Sequence, residues 1–375
     1  MSNSRRDFLR KTGLAASGVI IGSAGNMGKS EEDDKDKKVA IKKIRPLGFQ
    51  WETQDPFLFC VHHEDLYPEG NEKHGPKASL DGRQMGQDFI IKDGWRMYHG
   101  QVVPGFPSHP HRGFETITVV RDGYVDHSDS LGGAARYGHG DVQWMTAGKG
   151  LQHAEMFPLV NKDTGNRMEL FQIWLNLPKK SKMVAPYFKM NWSEDIPVLE
   201  KKDSADRKIR IEVLAGSFGD ASAPTANPDS WAADTENNVA IYAFKFDPGA
   251  EYIIPKTVEG VNRSLYFFEG KSMIIEDQEL KSYHAVDVDP TFDLHVKNGE
   301  TEGQLLILQG KPLNEPVVQH GPFVMNTREE IQQAFTDYQR TGFGGWPWES
   351  ADPVHGGEGK RFAKHPDGRE EIREE

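Results

Sequence analysis

Four side chains, arranged as two pairs, constrain this chain more than any other feature. His109 and His111 flank Pro110, and His153 and Glu155 flank Ala154. Residues i and i+2 of a strand point to the same face. Each pair can therefore aim two donors at one point, provided that both pairs lie on strands and the strands are neighbours. An isolated His-x-His is more often a surface pair than a ligand pair, but the second pair shifts that balance. Between the pairs runs Gly140-Asp141-Val142-Gln143-Trp144-Met145-Thr146-Ala147-Gly148-Lys149-Gly150. Its glycines and Asp141 mark turns around a short apolar strand. Three imidazoles and a carboxylate suit a divalent metal and leave positions open for substrate or dioxygen. Glu115 is a rival for the carboxylate, because its even offset from His111 puts it on the same face of an unbroken strand. Spacing does not choose between Glu115 and Glu155.

A chain of 375 residues has room for two domains. Its 38 glycines and 22 prolines suit a turn-rich all-β protein. The net charge of −12 argues against nucleic acid, whose affinity rests on neutralising phosphates. Cys60 is the sole cysteine, so no intrachain disulfide forms, and its apolar neighbours make it a buried small hydrophobe.

The N-terminus carries an address. Ser4-Arg5-Arg6-Asp7-Phe8-Leu9-Arg10-Lys11 precedes an apolar, small-residue run over residues 13–24. This resembles a twin-arginine export signal, with cleavage expected near Ala24. The run is short for a membrane span, although an uncleaved anchor is the alternative. Residues 1–24 are expected to be the signal peptide and residues 25–44 a charged linker. Removing the signal makes the remainder more acidic still. The twin-arginine route carries folded proteins, which suits a metalloprotein loaded before export; the expected location is the periplasm.

Further along, residues 57–61 read as a strand, with His62, His63 and His74 taken as solvated histidines beyond it. His127 and His139 read as rim residues, and His99 as a pocket-lining residue with no second candidate ligand at the i, i+2 spacing. Gln172, Trp174 and Asn176 share one face of a strand-like segment and suit either a ligand pocket or a packed core. A second His-x-His would fall near Ile254-Pro255-Lys256-Thr257, where no histidine stands. The second half is thus expected to keep the architecture and lose the metal. Residues 327–338 predict a helix, capped by Asn326 or Thr327, with Glu329 and Glu330 at its positive end. Its stripe of Ile331, Ala334, Phe335 and Tyr338 predicts a docking face. The polar tail, residues 346–375, is expected to be partly disordered.

The segment Gly105-Phe106-Pro107-Ser108-His109-Pro110-His111-Arg112-Gly113-Phe114-Glu115-Thr116 resembles a signature of the pirin family, within the cupin superfamily. A second signature resembles residues 140–148 with His153-Ala154-Glu155-Met156, and a third Gln319-His320-Gly321-Pro322-Phe323-Val324-Met325-Asn326-Thr327. The resemblance spans roughly residues 45–345. It implies an all-β fold of two cupin-type jelly-roll barrels stacked as a bicupin, with a short C-terminal helix. Residues 45–180 would form the N-terminal, metal-binding barrel and residues 195–345 a C-terminal barrel without metal. It also implies the ligand set His109, His111, His153 and Glu155, leaving Glu115 a supporting role.

The resemblance implies a mononuclear Fe(II), although a His3Glu site also accepts Cu, Mn, Ni or Zn. Some bacterial pirins are similar to quercetinases, so the leading expectation is a quercetin 2,3-dioxygenase-type enzyme. Its partners would be a flavonol-like aromatic molecule and dioxygen, with Glu155 as general base. A monomer is expected. The alternative is a non-catalytic binding or regulatory pirin, or a redox sensor; export speaks against a role in transcription.

Overall fold

Alternation along two central strands sets the architecture. In Phe114–Asp122 and Asn166–Asn176, the odd positions Ile117, Val119, Phe171, Ile173 and Leu175 join one apolar cluster. The even positions turn the other way, among them Thr118, Gln172 and Trp174. Because successive side chains point to opposite faces, these strands serve two interiors at once. The computed structural model describes residues 39–356 and 359–373. The expected export signal and most of the expected linker lie outside the described residues.

The even positions face the inside of the first barrel. Its first sheet runs Tyr187–Asn191, Val142–Thr146, Phe114–Asp122, Asn166–Asn176, Phe57–Tyr67, Gln50–Trp51. Its second begins at an edge with Gly105–His111 and continues through Leu151–Met156, Tyr124–Asp129 and Ala134–Gly138. The second barrel pairs a seven-stranded sheet with a four-stranded one. Its interior is filled by apolar side chains such as Ile211, Phe244, Phe267, Met273 and Leu294. The chain is thus all-β, a bicupin with a short C-terminal helix, as the motifs imply.

The odd positions of the first barrel pack against Ile241, Tyr266, Phe268 and Leu306 of the second, making the contact between barrels a continuous core. Trp51 stacks on Tyr266 across it, with ring centroids 5.3 Å apart.

The ends of the chain cross over. Ile41–Pro46 pairs antiparallel with His284–Val288 and extends the second barrel's sheet. Arg45 clamps this pairing by an ion pair of 2.5 Å to Asp287. Part of the expected linker is therefore a strand. The tail expected to be disordered likewise carries a hairpin, Arg361–Lys364 with Glu370–Arg373, which pairs with Ala134–Gly138 of the first barrel. Its polar composition concealed it because backbone bonding to a sheet edge needs little apolar surface. Arg361 bonds the fully buried Asp141 at 2.7 Å, and Ala363 is buried beneath the hairpin.

The helix runs Arg328–Thr341. Thr327 caps it and forms a reciprocal capping box with Glu330, while Gly342 ends it at a φ of 56°. Ile331, Ala334 and Tyr338 are buried against Phe323 and Phe343. The stripe is a docking face, and it docks beside the mouth of the first barrel.

Glu115 occupies an odd position and points into the contact between barrels. It accepts hydrogen bonds from Thr146 Oγ1 at 2.7 Å and Ser230 Oγ at 2.5 Å. Burial pushes its carboxyl up from 4.5 to about 7, against the pull of those bonds. The folded state thus holds this proton more tightly than the unfolded chain does. Its contribution to stability is fully present below about pH 4.5 and is lost as pH rises through about 7. Between pH 5 and 8, urea unfolding should show a loss from this group on the order of 3 kcal/mol. In Glu115→Gln the loss should shrink by that amount; an undiminished loss would assign the titration to another group.

Candidate metal centre

The strands Gly105–His111 and Leu151–Met156 lie side by side, with His109 opposite His153. Val142–Thr146, between them in sequence, crosses to the other sheet. Opposed residues of an antiparallel pair project from the same face. His109 and His111 therefore share the inner face with His153 and Glu155, as the paired spacing requires. The imidazole donors of His109, His111 and His153 all lie within 4.8 Å of one another. Among the described residues this is the one group of three or more candidate ligands.

Hydrogen bonding prepares these rings for a cation. His109 Nδ1 lies 2.9 Å from the Pro107 carbonyl, and His111 Nδ1 3.5 Å from that of Pro322. An Nδ1–H donated to a carbonyl leaves the Nε2 lone pair as the donor to a metal. His153 is fully buried, and neither of its ring nitrogens has a hydrogen-bond partner. A buried polar atom without a partner costs free energy that a bound ion would recover. Burial also lowers the pKa values, His109 to about 4 and His111 and His153 well below the usual imidazole range. All three are neutral, which metal ligation requires. The donor set fits a divalent metal.

Glu155 lies beside the triad, its Oε2 3.7 Å from His153 Nε2. Thr118 Oγ1 bonds its Oε1 at 3.1 Å, and Gln172 Nε2 donates to its Oε2 at 2.9 Å. Burial pushes its carboxyl up to about 7, partly offset by His127 and by those two bonds. Gln172 thus belongs to the site, and so does Trp174, which stacks on Phe114 and meets His111 edge-on with centroids 5.2 Å apart. Glu115 is excluded because the strand breaks after His111. Gly113 turns the chain at a φ of 88°, where a Cβ would come within 2.0 Å of the Val324 carbonyl oxygen.

The region after the second barrel closes the site. Gln152, next to His153, donates to the carbonyls of Gly342 at 2.6 Å and Gly345 at 2.9 Å. It also accepts from Tyr338 Oη at 3.1 Å. Arg112 pairs with Asp337 of the helix at 2.9 Å and lies over the Phe343 ring. Buried Lys182 donates to Gly113 O and Asn176 Oδ1, each at 2.7 Å, and to Val324 O at 3.2 Å. None of these links has a local sequence signal.

His127 had one. It is not a rim residue but fully buried, 3.1 Å from Asp129 Oδ2 and opposite Glu155 in register. His127 and Asp129 repeat the i, i+2 spacing of the ligand pairs. His62 and His63 also depart from expectation, since the strand Phe57–Tyr67 continues through both. His63 is buried against Tyr98 Oη at 2.8 Å, and His62 meets Glu169 at 3.1 Å. His139 stays at the surface beside Asp122.

Known proteins resemble this chain in sequence and fold. The Pirin family model matches residues 51–175, and the Pirin C-terminal cupin domain model matches residues 241–344. Human pirin is 36% identical over 241 residues, covering 63% of this chain and 76% of its own. The chain belongs to the pirin family. Another pirin relative, from Pseudomonas aeruginosa and named as a candidate quercetin 2,3-dioxygenase, is 38% identical over 240 residues, 63% of this chain and 79% of its own. A crystal structure of quercetin 2,3-dioxygenase from Acinetobacter baumannii aligns with this pirin at a TM-score of 0.63 and 27% identity. That alignment covers 82% of this chain and 99% of the other.

Purified protein given a divalent metal should hold a single ion per chain by elemental analysis. Metal at a hundredfold its dissociation constant should raise the unfolding free energy by about 2.7 kcal/mol. His153→Ala should lose both the ion and the stabilisation, and Glu155→Gln should weaken binding without abolishing it. Unchanged metal content in His153→Ala would place the ion elsewhere.

Proposed function

We propose that this pirin is a mononuclear Fe(II) enzyme of the quercetin 2,3-dioxygenase type, acting on flavonol-like molecules with dioxygen. The observation that carries this reading is the neutral histidine triad, half-buried at His109 and buried at His111 and His153, in which neither nitrogen of His153 has a hydrogen-bond partner. The relatives named for quercetin dioxygenation support it. His109, His111, His153 and Glu155 would hold the metal, which when bound supplies the Lewis acidity and redox capacity for oxygen chemistry.

The remaining chemistry belongs to the side chains. Glu155 is positioned by Thr118 and Gln172, and its carboxylate oxygen would accept the proton of an enolic substrate hydroxyl. Released from the metal, this carboxyl is pushed up by burial, so its carboxylate is a stronger base than one in water. Trp174 and Phe114 form an apolar wall beside His111. The helix and the turn after it cover the barrel mouth through Gln152 and Arg112. Covering excludes water, which strengthens the electrostatic interactions inside.

Quercetin added to iron-loaded protein in an oxygen electrode should give uptake that His109→Ala loses by at least about a hundredfold, the scale of a lost catalytic group. Uptake no greater than that of the variant would rule out the enzyme.

The twin-arginine segment at Arg5 and Arg6 supports work in the periplasm after export in the folded state. Expressed in a Gram-negative host, the chain should appear in the periplasmic fraction with an N-terminus near residue 25. A cytoplasmic protein that retains Met1 would overturn export and reopen a regulatory role.

A further inference from the structure

The approach to the triad is asymmetric. His111 and His153 are buried, whereas residues 106–109 are all half-buried. These residues lie on Gly105–His111, the edge strand of its sheet, where Ser108 N–H is bonded to the Ala351 carbonyl at 2.7 Å, and their partial exposure makes this the side on which the triad lies nearest solvent. A register shift between Phe106 and His109 lets both side chains project inward, with Phe106 opposite Glu155. Gly105 makes this possible, because a Cβ there would come within 2.4 Å of the Glu155 carbonyl oxygen.

From His109 outward the approach is built of rings. The Phe106 centroid is 6.4 Å from His109, 5.8 Å from His99 and 6.4 Å from Phe89. His99 and Phe89 meet edge to face at 5.0 Å. Phe89 in turn meets Phe49 at 6.2 Å, and Phe49 is 45% exposed. Ile90, which follows Phe89, and Val102, three residues after His99, are 74% and 43% exposed. A series of ring contacts thus runs from the exposed Phe49 through Phe89 and Phe106 to His109.

We infer that Phe106, Phe89 and His99 form an entry subsite that captures the planar aromatic part of the substrate and presents its oxygen substituents to the triad. A flat ring entering there meets ring faces and edges, an interaction worth more than the area it buries, whereas an aliphatic molecule gains only contact area. Phe106, facing Glu155, then sets how far the ring slides in. The inference deepens the dioxygenase reading and rests on it for the reaction, but ring capture is measurable without turnover.

The test is calorimetric binding of quercetin, 2-naphthol and cyclohexanol to the full, metal-loaded chain without oxygen, followed by quercetin turnover in air. Both aromatic probes should bind at least about tenfold more tightly than cyclohexanol. Phe106→Leu and Phe89→Leu should each weaken the aromatic probes by about 3- to 10-fold at unchanged metal content. Ile253→Ala, on the exposed face of the second barrel, should leave binding as it was. Equal affinity for cyclohexanol, no binding of either aromatic probe, or unchanged affinity in both phenylalanine variants would overturn the subsite. Ring capture through Phe106 without quercetin consumption would uphold the subsite and remove the dioxygenase. Quercetin consumption with unchanged KM in both variants would do the reverse.

Discussion

The pairing of Gly105–His111 with Leu151–Met156 is the constraint on which the rest of the structure depends. Only the register that sets His109 opposite His153 puts all three imidazoles, and Glu155 with them, on one inner face. A slip of one residue would turn every one of these side chains to the other face. The surrounding structure pins that register from several directions. Gly105 and Gly113 allow close backbone approaches at the two ends of the first ligand strand. Lys182 holds the turn at Gly113, and Gln152 ties the second ligand strand to the end of the helix.

This bracing explains why a site in the first barrel needs the second half of the chain. Val324, Asp337, Tyr338, Gly342 and Gly345 all bond Arg112 or Gln152, the neighbours of His111 and His153, and all follow the second barrel in sequence. The crossed ends add to it, because strands near both termini join the sheet of the barrel remote in sequence. The second barrel has an apolar interior where the first has the histidine triad, so it serves as the platform from which the closing segment returns.

The contact between barrels is itself a product of strand alternation. The same two strands present Ile117 and Ile173 to the second barrel and Thr118 and Gln172 to the metal centre. Glu115 shows how strict that division is. It belongs to the ligand signature by sequence, yet it is a buried acid bonded to Ser230 of the other half.

The clustering of the two donor pairs, the all-β class, the two-domain division and the capped helix were legible in the sequence because each rests on local chemistry: i, i+2 spacing, turn residues, a capping box. His127 with Asp129 was equally legible by spacing, and burial decided its place. Tertiary structure alone decided what depends on partners distant in sequence. The turn at Gly113 removed Glu115 from the metal face, and the pairing of Arg361–Lys364 with Ala134–Gly138 made a strand of a polar tail. The register shift beside Phe106 opened an aromatic approach to His109. Local pattern says which way a side chain points along its own strand; which strand lies opposite, and at what register, is settled by packing across the whole chain.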